Sequence, residues 1–299
     1  MREKRPTAPT PIDRTATIAI ITHALQEVRP GTTIARIAHE HWVPRGHRIV
    51  THRGLDRLPP ADVAIQHVDL TKVPQAYLEL ARHYPRVMNG TVGDISKKRV
   101  SAELLGKDSA YDGPVMVKTD LNHAGMPERM LRQEIPGAKG ALLRLIERLA
   151  PVSWFGHMPN DQYVVFKHKS DVPGWVWRAR GLVVQPLYME RRGDLFAMNQ
   201  WYFLGDNDCV STLLSRSPVV KIANVAEFVP LHQEVPDEIR RRREELKFDY
   251  GKFDYVIVDG KPMLLDANRT PDEGATFPTI PRIVAVCAAI AGGLSKFLR

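Results

Sequence analysis

The sequence predicts an α/β protein, and three observations carry that reading. Short apolar runs alternate with helix-periodic segments through the first third of the chain, the pattern of a parallel sheet with crossover helices. Near residue 96 the texture changes to longer strands bounded by turn chemistry. Close to the C-terminus, Asp259-Gly260 separates two apolar runs, a strong hairpin signal. With 299 residues, 43% of them hydrophobic and 25% charged, two or three modest domains can each bury a core, and wholesale disorder is excluded.

Residues 1–14 hold four basic residues and three prolines and are expected to be a flexible lead-in. Thr17–Ile21 is short and apolar, as a buried strand requires. Gly31–Trp42 places Ile34, Ile37, Ala38 and His41 at helical spacing. His47–His52, Asp62–Val68 and Arg86–Met88 read as strands, with a helix over Ala76–His83. This 15–94 region forms a first α/β domain. From 95 to 181 a helix is expected over Ile95–Leu105 and a strand over Val115–Thr119. A helix follows over Lys139–Ala150, ended by Pro151, and then a strand over Tyr163–Lys167. From 182 to 299 the expected strands are Leu182–Leu187, Phe196–Leu204 and Val219–Ile222, followed by a helix over Pro236–Leu246. The hairpin comes next, then a closing helix over Pro281–Leu298 weakened by Gly292-Gly293.

Lysine plus arginine outnumber aspartate plus glutamate, 42 to 34, for a net charge of +8. The surplus suits an anionic small ligand such as a nucleotide. It is too diffuse for a nucleic-acid partner, because the densest cluster, Arg240–Arg243, runs into Glu244 and Glu245 and reads as a solvated helix face. His39 and His41 lie two apart and would face different sides of a helix, so no metal site is expected there. Two cysteines, Cys209 and Cys287, form neither a disulfide framework nor a metal knuckle. The apolar stretch Ile283–Leu294 falls short of the ~20 residues that cross a bilayer. A reducing, cytoplasmic setting with no membrane partner is the expectation.

The chemistry concentrates in the segment from Asp249 to Pro271. Side chains on a strand repeat every two residues, so Asp254 and Val256 share one face, as do Asp266 and Asn268. Folding about Asp259-Gly260 brings Asp254 within one residue of register with Asp266. A single bulge would set them opposite each other at ~5 Å between Cβ atoms. Facing carboxylates repel unless a cation lies between them. With the Asn268 oxygen beside them they make a hard-oxygen site suited to Mg²⁺, water and phosphate. The competing reading is a polar outer sheet face.

This block resembles the last conserved block of the ATP-grasp ligases, a family that includes D-alanine–D-alanine ligase, glutathione synthetase and the glutamate-adding ligases. The family pattern is a basic residue, one apolar residue, Asp, a strand, Asp-Gly, a second strand, then Glu-x-Asn and Pro. Here it reads Lys252, Phe253, Asp254, the hairpin, Asp266, Ala267, Asn268 and Pro271, with Asp266 where glutamate is usual. The resemblance implies an ATP-grasp fold preceded by a small Rossmann-like α/β domain. It implies ATP as cofactor with Mg²⁺ (one ion or two, Mn²⁺ as an alternative) held by Asp254, Asp266 and Asn268. Lys252 would contact the transferring phosphate. Two further lysines are implied for the phosphates: Lys118 on its strand, and Lys97 or Lys98, of which Lys97 fits the spacing better. A closing loop is implied over Asp120–Pro127, with Gly125 its single glycine. An adenine hinge falls on Leu182–Glu190, with Gln185 to Leu187 meeting the base through backbone groups and Glu190 the ribose. Several relatives carry an arginine near the position of Asn199.

By the same resemblance, a substrate carboxylate attacks the γ-phosphate to give an acyl phosphate, and an amine displaces the phosphate. Arg216 and Arg269 are the candidates for the substrate carboxylate or the acyl phosphate. The acceptors would be small molecules, an amino acid or a small peptide, and a homodimer is the analogy from relatives. A kinase acting on a hydroxyl would need the same ATP residues. A non-catalytic ATP-binding module is the reading from another class, against which the retained Asp254, Asp266 and Asn268 argue.

Overall fold

In the computed structural model the described residues are 15–149, 163–272 and 279–299. The expected lead-in over 1–14 and the helix stop at Pro151 lie outside them. Among the described residues the strands form three sheets. The first is parallel, in the order β2 (Arg48–Arg53), β1 (Thr17–Thr22), β3 (Val63–Gln66), β4 (Val87–Met88). A short helix, α1 (Thr33–Ile37), continues as a π-turn to Trp42 and crosses from β1 to β2. Thr32 caps α1 by accepting the Ala35 N–H.

The second sheet is antiparallel and small: β5 (Val115–Thr119) lies between β6 (Val164–Phe166) and β7 (Leu182–Pro186). Because β7 pairs with β5, this sheet extends to Pro186, past the 181/182 division expected from the sequence. The helix expected over Ile95–Leu105 is one turn only, α2 (Lys97–Val100), since the Ser101 N–H closes on the Lys97 carbonyl and the chain then runs extended. Two helices not separately expected or only partly so follow β5: α3 (Met126–Gln133) and α4 (Gly137–Leu149).

The third sheet is ordered β11 (Val225–Phe228), β10 (Asn207–Ser215), β9 (Leu195–Leu204), β12 (Tyr250–Val258), β13 (Lys261–Asn268), with β8 (Glu190–Arg192) on part of β9. The strand expected over Val219–Ile222 is a loop, and the strand begins at Val225. Helix α5 (Asp237–Glu245) carries the arginine cluster, but its face is not wholly solvated. Arg243 donates to the carbonyls of Phe248, Gly205 and Asp249 and stacks 4.1 Å from the Phe203 ring centroid.

Helix α6 (Thr279–Ile290) and the 3₁₀ segment Ala291–Phe297 close the chain. The span Ile280–Phe297 is long and apolar enough to pass as a membrane helix by composition, yet Ile283, Val286, Cys287, Ile290 and Leu294 are buried in a core shared with Ile18, Trp42 and Tyr202. It is a core helix that joins the first sheet to the third. Gly205 and Gly293 permit that docking. A Cβ on Gly205 would lie 2.3 Å from the Gly293 carbonyl oxygen, and one on Gly293 would lie 1.7 Å from that of Leu204.

Candidate active site

The β12–β13 hairpin closes through Asp259 (φ 50°) and Gly260 (φ 75°), two left-handed residues whose twist matches the flanking strands. The register runs Val258 with Lys261 to Tyr255 with Leu264, then slips one residue at Leu265 so that Asp254 pairs with Asp266 and Lys252 with Asn268. This one-residue bulge sets the two aspartates opposite each other. On the other side of β12, Asp254 pairs with Gln200 and Lys252 with Tyr202, and β10 extends these with Ser211 and Cys209. One face of the sheet therefore carries two cross-strand rows: Ser211, Gln200, Asp254, Asp266; and Cys209, Tyr202, Lys252, Asn268.

Cations meet the carboxylates from both sides. Lys97 Nζ donates to Asp266 Oδ1 at 2.6 Å, and the lysine is 2% exposed. An unpaired ammonium at that depth would be costly, so the pair fixes both groups. Lys98 turns the other way, with Nζ 3.0 Å from the Arg180 carbonyl oxygen and 3.5 Å from Asp120. Lys252 Nζ is 3.4 Å from Asp254 Oδ1 and 6.0 Å from the Tyr202 ring centroid. From β5, Lys118 Nζ donates to Gln185 Oε1 at 2.9 Å and lies 5.2 Å from the Tyr163 ring centroid. Lys118, Lys252, Asp254, Asp266 and Asn268 line one cavity of about 440 Å³ between the second and third sheets. Its apolar part is made by Met116, Leu187, Met198 and Val256. Lys97 reaches this space through Asp266.

The oxygen set fits a small hard cation. Asp266 Oδ1 accepts Lys97 Nζ and the Ala267 N–H at 2.9 Å, and among the described residues no donor meets Oδ2. Asn268 Oδ1 accepts the Thr270 N–H at 2.9 Å. The Thr270 hydroxyl also lies 3.4 Å away, but its one proton goes to Asp69 Oδ1 at 2.8 Å, so a lone pair of the Asn268 oxygen stays open. Among the described residues no group of three His, Cys, Asp or Glu side chains that could hold a metal ion is present, so the third oxygen of this set is the amide of Asn268. Two carboxylates and an amide oxygen suit Mg²⁺, which keeps water or phosphate oxygens in its other positions.

Other sequence candidates are placed differently. Arg269 is fully buried and donates to the carbonyls of Val92, Leu70 and Thr71, the latter two at 2.9 Å. It faces away from the cavity because it alternates with Asn268, and it serves as a buried clamp on the first domain rather than a substrate contact. Burial lowers its pKa to about 10, so it stays charged at neutral pH. Arg216 is exposed at the end of β10 and does not line the cavity. Glu190 does not meet the cavity either: its oxygens accept Arg192 Nε at 3.0 Å, Asn199 Nδ2 at 2.8 Å and the Ile257 N–H at 2.8 Å, which straps β8 to β9 and β12. Asn199, thus engaged, also accepts the Thr212 hydroxyl at 2.7 Å. The Leu187 side chain lines the cavity, but its N–H donates to the Pro114 carbonyl at 2.8 Å and is not open to a base. Gln185 is 1% exposed, with Oε1 held by Lys118 and Nε2 without a hydrogen-bond partner among the described residues. The expected closing loop is a tight left-handed turn, His123, Ala124 and Gly125 at φ 45°, 54° and 77°, from which Asn122 and His123 line the cavity. Gly125 sits one step back as the start of α3.

Sequence reasoning passed over Gln200, Tyr163 and Lys221, which also line the cavity, and Arg282 behind Gln200. The signal for Gln200 was available, since it sits an odd number of residues from Phe203 and so on the face opposite that apolar ring. The other three depend on sheet order and on loop placement, which no local spacing encodes.

No protein-family model and no curated protein matches the sequence. Solved structures do match along nearly the whole chain. A RimK domain ATP-grasp protein from Sphaerobacter thermophilus is 12% identical, with 93% of this chain and 98% of that one covered, at a TM-score of 0.43. The D-alanine–D-alanine ligase of Bacillus anthracis complexed with ATP is 14% identical, with 95% of each chain covered, at 0.44. The ATP-grasp ligase PsnB, complexed with a phosphomimetic variant of its minimal precursor, Mg and ADP, is 14% identical, with 96% and 100% covered, at 0.46. These neighbours are ATP-grasp proteins.

Proposed function

We propose that the protein is an ATP-dependent carboxylate–amine ligase that joins an amino acid or small peptide to an amine and releases ADP and phosphate. One observation carries the reading: Asp254 and Asp266 stand opposite each other, attended by Lys97 and Lys252, in a cavity that also holds Lys118 and an apolar slot. That is the charge pattern a nucleoside triphosphate needs, with cations along the phosphates and a greasy end for the base.

Lys118 and Lys252 neutralise phosphate oxygens as the charge shifts toward the leaving group. Met116, Leu187 and Met198 receive the base, and the buried Gln185 Nε2 supplies a donor to its edge. A Mg²⁺ ion on Asp254, Asp266 and Asn268 would neutralise the β- and γ-phosphates. The substrate carboxylate then attacks the γ-phosphorus, the bond to the β-phosphate oxygen breaks, and the acyl phosphate is consumed by the amine with loss of phosphate. The chain's part in that last step is to keep water out, for which the cavity between two sheets is suited.

The test is phosphate and ADP release from Mg-ATP by the purified protein in pools of amino acids, dipeptides and small carboxylic acids, each followed by mass spectrometry. A product lighter by one water than its two parts supports the ligase. A product heavier by one phosphoryl group replaces it with a kinase. Nucleotide binding without release in any pool, unchanged in Lys118→Met, overturns both.

A further inference from the structure

Behind the row of carboxylates lies a cation for which the reaction above has no use. Arg282 enters from α6, is 8% exposed, and packs its guanidinium 5.3 Å from the Phe228 ring centroid. Its Nη1 donates to Gln200 Oε1 at 3.1 Å, to Ser211 Oγ at 3.2 Å and to the Tyr202 hydroxyl at 3.3 Å. The Tyr202 hydroxyl also approaches Gln200 Oε1, at 3.3 Å. On its far side Gln200 Nε2 meets Asp254 Oδ1 at 3.4 Å.

The chemistry of an amide makes this arrangement directional. A glutamine side chain has one accepting end and one donating end, whereas a guanidinium can only donate. With Arg282 against it, Gln200 must present Oε1 to the arginine and Nε2 to the carboxylate. Turned over, the amide would set N–H against N–H on one side and carbonyl oxygen against carboxylate oxygen on the other. Arg282, with the Tyr202 hydroxyl beside it, therefore holds the amide with its donating end toward Asp254. Gln200 and Lys252 both address the same oxygen of Asp254, Oδ1. Both contacts bear on how the carboxylate is turned.

We propose that Arg282 is a positioning residue for the metal carboxylate: acting through the Gln200 amide, it holds Asp254 in the orientation that receives the divalent cation. The inference rests on the reading of Asp254 as a metal ligand given above. Partners in the outer shell of a metal site typically contribute ~10–100-fold to affinity. Arg282 would do so from the opposite side of the sheet row to Lys97.

The experiment is electron paramagnetic resonance titration of Mn²⁺ into the full-length protein saturated with adenylyl imidodiphosphate, with circular dichroism to select temperatures at which every variant is folded. Arg282→Met is expected to weaken Mn²⁺ binding ~10-fold or more and to broaden the bound spectrum. Gln200→Met, which leaves the arginine its bonds to Ser211 and Tyr202, should weaken it similarly, and the double variant should bind no worse than Gln200→Met alone. Ser211→Ala removes one bond of Arg282 without breaking the route to Asp254 and should bind as wild type. Wild-type affinity in Arg282→Met, additive losses in the double variant, or an equal loss in Ser211→Ala overturns the proposal. If Arg282→Met does not fold, Arg282→Gln, whose amide can present either end to Gln200, takes its place under the same criteria. A wild-type protein that gives no ternary Mn²⁺ spectrum overturns the metal reading of Asp254 and this inference with it; wild-type binding that survives Arg282→Met overturns the inference only.

Discussion

Asp254 faces Asp266 across the β12–β13 ladder because Leu265 is bulged out of it. Two anions at that separation destabilise a sheet unless something positive answers them. Here Lys252 answers one and Lys97 the other.

Asp254→Asn keeps the volume and removes one charge. Lost attraction to Lys252 and lost repulsion from Asp266 oppose each other, so stability without ligand should change by less than about 1 kcal/mol. The rise in Tm on adding Mg-ATP should vanish. Differential scanning fluorimetry with and without Mg-ATP reads both; a Tm rise equal to wild type would remove Asp254 from the metal set.

Lys97 and Lys98 are neighbours in sequence and opposites in environment. Lys97→Met strands Asp266 against an apolar side chain. Because Asp266 keeps a quarter of its side chain exposed, the loss should be about 2 kcal/mol, below that of a fully buried pair. Lys98→Met should stay within about 0.5 kcal/mol. Urea unfolding distinguishes them, and equal losses would contradict the pairing.

Arg269 is held by three backbone carbonyls of the first domain. Arg269→Met should cost about 3 kcal/mol or more by leaving those acceptors buried and unmet, with Arg269→Lys in between. Arg216→Ala should leave stability unchanged. If Arg269→Lys were fully stable yet raised KM for a carboxylate, the clamp role would be wrong.

His67 is buried at the end of β3, and desolvation, aided by the Arg29 charge, holds its pKa down at about 4, against 6.5 for an ordinary histidine. The folded protein thus favours the neutral ring. The stability associated with it is complete above pH 6.5 and is lost as pH falls toward 4, amounting to ~3 kcal/mol over that window. Unfolding free energies measured from pH 7.5 to pH 4.5 should show this slope and lose part of it in His67→Phe. An identical slope in the variant would assign the pH dependence elsewhere.

The hairpin and its paired aspartates were legible because an Asp-Gly turn with two left-handed residues fixes register to within one residue, and a bulge is the only freedom left. The lysine on β5 was legible because an apolar strand isolates it. Arg269 was misassigned although the same alternation that puts Asp266 and Asn268 in the cavity sends Arg269 to the other side. Glu190 is the last residue of the expected hinge, but its partners Asn199 and Ile257 come from other strands. The strand β10 escaped notice because Asp208, Ser211 and Thr212 interrupt its apolar run, and these are polar for the sake of Arg240, Arg282 and Asn199. Such pairings arise only when distant segments meet.

The ties around β13 span most of the chain. Lys97 reaches Asp266 across 169 residues, Arg269 reaches Leu70 across 199, and Thr270 reaches Asp69 across 201. Contacts of such sequence separation must overcome loop-closure entropy before they stabilise anything, and they form late. The cavity therefore cannot close until the β12–β13 hairpin docks back onto residues 69 to 97. Until then Asp266 and Lys97 remain on separate, unassembled pieces.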